Sequence, residues 1–317
     1  MTTSEITSGK VQFVEISADN NGQRIDNFLM SKLKGVPKSR IYKILRSGEV
    51  RVNKGRVKPS QRLQTNDLVR IPPVQFNEKQ TLTIPENLID KLNQSILFEN
   101  DDLLVINKPS GLAVHAGSGV SFGIIDILRA QRFKDNFIEL AHRLDRETSG
   151  CLVLAKNRNT LTQLNALFTS GDSVTKQYLT LTKGNWPEGE NRVDAPLSKN
   201  EIKSGERMVT INPGGKNAIS LFRPTEQFSD CSLVEVTLLT GRTHQIRVHA
   251  NSQNHPVAGD TKYGDKIFNK RLKAVGLKRM FLHSRLLAFD LNGHISVTAP
   301  LDNSLKSVIE NLRNHEQ

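Results

Sequence analysis

The chain has 317 residues, a length that suggests two domains at about 150 residues each, with 37% hydrophobic residues to build a real core. No run approaches the roughly 18 unbroken apolar residues of a membrane helix. The polar first ten residues carry no apolar signal core, and Cys151 and Cys231, the only two cysteines, stand 80 apart. These features exclude a membrane-spanning chain and a disulfide scaffold, and they lead to the expectation of a cytoplasmic protein with reduced structural thiols. Lys and Arg outnumber Asp and Glu by 44 to 32, a net charge of +12. From Arg24 to Arg62 there are 12 Lys or Arg against Asp26 and Glu49 alone, a local +10 that leaves +2 for the rest. A solvated face is the usual meaning of a charge run, but this imbalance favours a surface for nucleic acid.

In chain order, 24–33 reads as a helix, with Ile25, Phe28, Leu29 and Leu33 at helical spacing. Gly35 and Pro37 break it. Ser39 then caps a second helix over 40–46, with Ile41, Ile44 and Leu45 turned inward. Gly48 ends that helix. A strand over 50–52 turns through Asn53-Lys54-Gly55 into a return strand, since Asn and Gly tolerate the positive φ of such a turn. A short strand over 68–71 follows, and Pro72-Pro73 closes the unit. On its polar side the expected RNA contacts are Lys38, Arg40, Lys43, Arg46, Arg51, Lys54, Arg56 and Lys58. The pattern Gly22-Gln23-Arg24-Ile25-Asp26, then Val36-Pro37-Lys38-Ser39, then Gly48-Glu49-Val50-Arg51-Val52-Asn53 resembles an S4-type RNA-binding domain, here 22–73 after a tail over 1–21.

A polar stretch over 74–94 reads as a linker to a second domain, 95–317. Strands over 96–99 and 103–106 flank Asn100-Asp101-Asp102 as a hairpin, and Lys108-Pro109-Ser110-Gly111 is a turn. Further strands are expected over 150–155, 178–182, 233–238 and 286–290, the last returning through Leu291-Asn292-Gly293 into 294–298. Helices are expected over 160–168 and 303–312. Strands paired in hairpins with few βαβ units give an α+β domain.

Three runs carry candidate chemistry. In His142-Arg143-Leu144-Asp145-Arg146-Glu147-Thr148-Ser149-Gly150 a carboxylate stands between two arginines. Nearby cations favour the charged form of a carboxylate, which then serves as nucleophile or base. An ordinary surface Asp–Arg pair is the competing reading, and on composition alone it wins. The other two runs are Asn107-Lys108-Pro109-Ser110-Gly111-Leu112-Ala113-Val114-His115 and Gly241-Arg242-Thr243-His244-Gln245-Ile246-Arg247-Val248-His249. Each packs Gly with basic side chains near a strand end, which suits a phosphate or a planar base. His244 and His249 stand five apart and are not spaced as zinc ligands, so no metal site is expected. Gly214-Gly215-Lys216 lacks the flanking residues of a phosphate loop and reads as a turn.

The order of the three runs, with Arg-Leu-Asp followed by Thr-Ser-Gly at the centre, resembles the RluA-type family of pseudouridine synthases over about 95–300. Together with the S4-type module, the stretches 24–29, 117–123 and 203–207 resemble members that act on large-subunit (23S) ribosomal RNA; Glu147 stands where relatives often carry Asp. The resemblance implies a mixed, largely antiparallel sheet with flanking helices and a central cleft. It implies isomerisation of uridine to pseudouridine in RNA without any cofactor. Asp145 would be essential, whether it attacks the sugar, attacks the base or removes a sugar proton. Arg242 would keep Asp145 ionised and aimed, Tyr178 would stack on the uracil and take the carbon-5 proton, and Ile246 would pack near the base. Arg143 would fill the space vacated by a flipped base. Lys108 and His115 are further expected substrate contacts. The implied partner is large-subunit ribosomal RNA, free or in assembly intermediates, for a monomer that meets no membrane. A non-catalytic RNA-binding ribosome-assembly factor, a pseudouridine synthase of the same family with another RNA target, and a nucleoside hydrolase are the competing expectations.

Overall fold

The computed structural model describes residues 11–33, 36–74, 84–116, 122–134, 136–171, 173–201 and 207–314. Gly35 and most of the 117–123 and 203–207 stretches lie outside them. The chain divides into two compact units, Met1–Thr83 and Ile84–Gln317.

The first unit contains β1 (Gln12–Glu15), α1 (Ile25–Lys32), α2 (Lys38–Arg46), β2 (Arg51–Val52), β3 (Gly55–Arg56) and β4 (Leu68–Ile71). Its four strands form an antiparallel sheet in the order β1-β4-β2-β3. Phe28 and Leu29 of α1 and Ile41, Ile44 and Leu45 of α2 share one core with Val52, Val69 and Ile71. Three details depart from the sequence reading. Strand β1 falls in the expected tail, yet it pairs with β4 along its length. Helix α2 begins at Lys38 with Pro37 as its N-cap, so Ser39 sits in the first turn and caps nothing; proline's fixed φ is already set for a helix start. The hairpin turn uses Asn53 (φ 48°) and Lys54 (φ 67°), not Gly55. Both central residues of such a two-residue turn need positive φ. Asn53 is held there by its side chain, which donates to Asp67 and accepts from the Leu68 N–H.

The second unit runs α3 (Glu86–Asn93), β5 (Ile96–Glu99), β6 (Leu103–Lys108), α4 (Ile124–Gln131), β7 (Glu139–Leu140), β8 (Ser149–Ala155), α5 (Arg158–Ser170), β9 (Val174–Lys183) and β10 (Asn191–Asp194). It continues through β11 (Leu197–Glu201), β12 (Arg207–Ile211), β13 (Ile219–Gln227), β14 (Cys231–Leu238), α6 (Gln245–Ser252), α7 (Lys266–Ala274), β15 (Leu282–Asp290), β16 (His294–Thr298) and α8 (Asn303–Asn314). Helix α3 occupies part of the expected linker because Leu92 is buried in the main core and Leu88 and Ile89 pack against it. One sheet runs β10-β13-β14-β9-β15-β8-β6-β5, with β16 on β15 and β7 on β8. Strands β11 and β12 form a separate ribbon. Every pairing in the large sheet is antiparallel except β8 with β15.

Strand β8 is buried at all seven positions. Leu152 and Leu154 join the core that includes α4, while Cys151, Val153 and Ala155 join the opposite core against α5. Burial on both faces is why this segment reads as a continuous apolar run. A third cluster packs α7 and α8 against β9 and β14 through Phe268, Leu272, Leu305 and Val308. Among the described residues no helix is long and apolar enough to cross a membrane.

Candidate active site

The segment ahead of β8 presents Asp145, and the run over 107–115 is its scaffold. The Gly111 N–H donates to the Arg146 carbonyl at 2.9 Å, and the Ser110 hydroxyl to the Glu147 carbonyl at 2.7 Å. The Arg146 guanidinium returns a bond to the Gly111 carbonyl at 2.9 Å. Lys108 is fully buried, and its ammonium donates to the carbonyls of Pro109, Leu112 and Arg146 at 2.9, 2.7 and 3.0 Å. Burial pushes it down to about 7. Lys108 therefore braces the Asp145 turn from behind, with its ammonium taken up by three carbonyls and no side-chain surface exposed to the cleft. His115 is exposed on the loop after β6 and does not line the Asp145 cleft. Gly150, at φ +107°, closes the Thr148-Ser149-Gly150 run; a Cβ there would lie 2.1 Å from the Ser284 carbonyl oxygen, where β8 meets β15.

Helix α6 makes the facing wall. Its entry turn is stapled by Gln245, 2% exposed. The Gln245 carbonyl accepts from the Thr240 hydroxyl and the Arg242 N–H, and its amide donates to the Ile219 carbonyl and the Ser220 hydroxyl. His244 caps the helix with a left-handed backbone, φ 55°. From this helix Arg247 reaches Asp145, Nη1 to Oδ2 at 3.1 Å. Its Nε and Nη2 donate to Asp260 at 2.7 and 2.8 Å. Asp260 is 1% exposed and also accepts the N–H groups of Lys262 and Tyr263. Burial alone would raise Asp260, but the Arg247 bonds and charge outweigh it and hold the carboxyl below its ordinary value.

This geometry corrects the expected pairing. Arg242 lines the cleft, yet its Nε donates to the Asn217 carbonyl at 2.9 Å, and Arg247 is the cation on Asp145. His244 also faces Asp145 from the entry turn of α6. Its Nε2 lies 3.7 Å from Asp145 Oδ2, and its Nδ1 is 2.8 Å from the Tyr263 hydroxyl. Burial holds it below its ordinary value against the pull of Asp145. His249 does keep a structural role, between the Ser220 hydroxyl and the Ala195 carbonyl.

Tyr178, on β9, and Ile246, on α6, line the cleft with Asp145, Arg143, Leu238 and Leu282. The Tyr178 phenol is buried and pushed up to about 12, with the Ser284 side chain pulling the other way. Arg143 is exposed at the mouth. A wider groove adjoins, lined by His142, Phe168, Lys176 and Thr243 as well as Asp145, Tyr178 and Arg242. Arg247 lies in the 241–249 run, and the first turns of α6 aim it at Asp145. Asp260 and Tyr263 carry no local signal.

The eight expected RNA contacts lie in the first unit. Lys38, Lys43, Arg46, Lys54, Arg56 and Lys58 are exposed, and Arg40 and Arg51 are half-buried. Among the described residues none of the eight pairs with an acid. Asp26, one of the two acids there, is buried and taken by Arg24 and the Tyr42 hydroxyl.

Residues 102–252 match the family described as RNA pseudouridylate synthase, and residues 23–69 match the S4 domain. The chain is 49% identical to a ribosomal large subunit pseudouridine synthase C of Haemophilus ducreyi, covering 99% of each. It is 47% identical to the protein of that name from Escherichia coli, covering 96% of this chain and 97% of the relative. Among solved structures, human RNA pseudouridylate synthase domain containing 4 is 27% identical with a TM-score of 0.60, over 72% of this chain and 96% of that one.

Proposed function

The chain belongs to the RNA pseudouridylate synthase family, and from that membership we propose that it converts uridines of large-subunit ribosomal RNA to pseudouridine, with Asp145 as the essential group. The reaction breaks the bond from the sugar to the base nitrogen, turns the base, and joins the sugar to carbon 5, which gives up its proton. No atom is oxidised and no group is imported, so the reaction calls for no redox cofactor.

One observation carries the reading. A carboxylate held by Arg247 opens into a cleft whose walls include a buried tyrosine and an isoleucine, Tyr178 and Ile246. A planar base fits between such side chains while the carboxylate meets the sugar edge. Positioning counts because misplacing a reacting group by about 1 Å costs on the order of 100-fold in rate. Tyr178 stacks on the base, Ile246 packs near it, and Arg143 at the mouth fills the gap the flipped nucleotide leaves. Flipping costs a few kcal/mol, least in loops. Phosphate contacts from the cations of 22–73 offset that cost, largely without regard to sequence. We assign RNA anchoring to that module and the chemistry to 95–317, in a monomeric cytoplasmic enzyme acting on the RNA free or in assembly intermediates.

The test is tritium release from large-subunit rRNA labelled at carbon 5 of uridine. Wild type is expected to release tritium, and Asp145→Asn to release none while still binding the RNA. Release by Asp145→Asn at the wild-type rate would overturn the assignment.

A further inference from the structure

Lys176 stands on β9 two residues before Tyr178, so both side chains leave the same face of the strand, about 6.6 Å apart along it. The residue is only 8% exposed. Among the described residues no hydrogen bond or ion pair engages its ammonium, although every fully enclosed side-chain nitrogen or oxygen has a partner. The ammonium therefore opens into the groove that it lines with Arg143, Asp145, Tyr178 and Arg242. Its Nζ lies beside Gly241, 4.0 Å from where a Cβ on that residue would stand. The neighbouring charge is of like sign: burial and Arg242 both push Lys176 below its ordinary value.

A buried cation with no counter-ion, facing a second cation, is costly to keep unless an anion completes it. Asp145 lines the same groove, but among the described residues no ion pair joins it to Lys176, and its Oδ2 is engaged by Arg247. The groove continues from the cleft that takes the base, so the anion that arrives with the base is the backbone phosphate beside it. We propose that Lys176, together with Arg242, forms a phosphodiester site for the nucleotide next to the flipped uridine. The site rests on the uridine-isomerising reading above. It gives Lys176 a binding role that neither the basic module nor the Asp145 centre fills, and it gives Arg242 a role after its loss of Asp145.

The test uses an RNA fragment bearing a uridine that the wild-type chain modifies, with single neutral methylphosphonates placed at each linkage around it. Lys176→Met is expected to weaken binding about tenfold and to reduce the slope of log affinity against log salt by roughly 0.7, as for the loss of one single-strand phosphate contact. Lys176→Arg, which keeps the charge, is expected to restore the slope. One methylphosphonate position should weaken wild type by a similar factor and leave Lys176→Met unaffected. The loss should appear in the dissociation constant and not in the rate at saturating RNA. If each methylphosphonate weakens wild type and Lys176→Met equally, or if Lys176→Met loses rate at unchanged affinity, the phosphate site is overturned and the enzyme reading stands. If inorganic phosphate at millimolar levels protects Lys176 from acylation but RNA does not, the anion is free phosphate and the proposal fails. A wild-type chain that modifies no uridine would overturn the enzyme reading itself.

Discussion

Arg247 bonds Asp145 with a single nitrogen, Nη1 at 3.1 Å, and commits its other two nitrogens to a buried carboxylate, Asp260. Three bonds in one plane leave the guanidinium no freedom to follow a wandering partner. The orientation of Asp145 is thus set from Asp260, more than a hundred positions along the chain from the residue it aims.

Arg247→Lys keeps the charge and removes the fork. Lysine is a point charge on a flexible stem and cannot bridge two carboxylates in a plane. The expected result is a fall in kcat/KM of about 100-fold, the scale of losing one preorganised donor, with RNA affinity little changed. Measured kcat/KM near wild type would show that the clamp does not aim Asp145.

Lys108→Met tests the brace. Three carbonyls lose their donor in a fully buried place. Unmet buried acceptors cost about 1–3 kcal/mol each, so the total expected in urea unfolding is about 3 kcal/mol or more. RNA affinity of the folded variant should be unchanged. Weaker RNA binding with unchanged stability would return Lys108 to the substrate contacts.

Gly150→Ala and Gly22→Ala separate close approach from backbone strain. Both glycines have positive φ, +107° and +75°, but the Gly22 position is open while Gly150 faces the Ser284 backbone. Gly22→Ala should cost about 1 kcal/mol. Gly150→Ala forces β8 from β15 and should cost more than about 4 kcal/mol, or block folding. Equal thermal shifts in the two variants would contradict the contact.

The three tyrosines, Tyr42, Tyr178 and Tyr263, all hold their protons more tightly than usual. The Asp26 hydrogen bond does this for Tyr42, and burial does it for Tyr178, at about 12, and for Tyr263. An unfolded phenol loses its proton near 10. Between about pH 10 and 12 the folded chain therefore binds more protons than the unfolded one, and stability falls as pH rises through that window. Urea midpoints measured across it should decline, with tyrosinate absorbance growing on unfolding. A midpoint that stays level would contradict the burial of Tyr178.

Much of the fold is local and was legible. The doubly buried β8 reads as an apolar run, β16 and the β5–β6 hairpin follow alternation and turn chemistry, and α8 shows its one-sided stripe through Leu305, Val308, Ile309 and Leu312. What hid was buried helix. In α6 the residues Gln245, Ile246, Arg247, Val248, His249 and Ala250 are all buried, so no polar face marks the period. Helix α4 is apolar only over its first turns, where Ile124, Ile125, Ile127 and Leu128 are buried, and turns Arg129 and Gln131 to solvent at its end. Without helix α6 the phase of Arg247 is not legible, and it is the family resemblance that places Arg242 beside Asp145, where the structure has Arg247. The tie between Arg247 and Asp260 depends on folding alone, since nothing near Asp260 in the sequence marks it.

Asp145 sits four residues before a strand with no exposed position, pinned between β6 and β15 in the middle of the sheet. Amide hydrogens of such a strand exchange with solvent only when the whole unit opens. In deuterium-exchange terms the carboxylate is moored to the slowest part of its unit, while the two-stranded β11–β12 ribbon can fray first. Partial melting at the edges should leave the Asp145 turn in register until the sheet itself gives way.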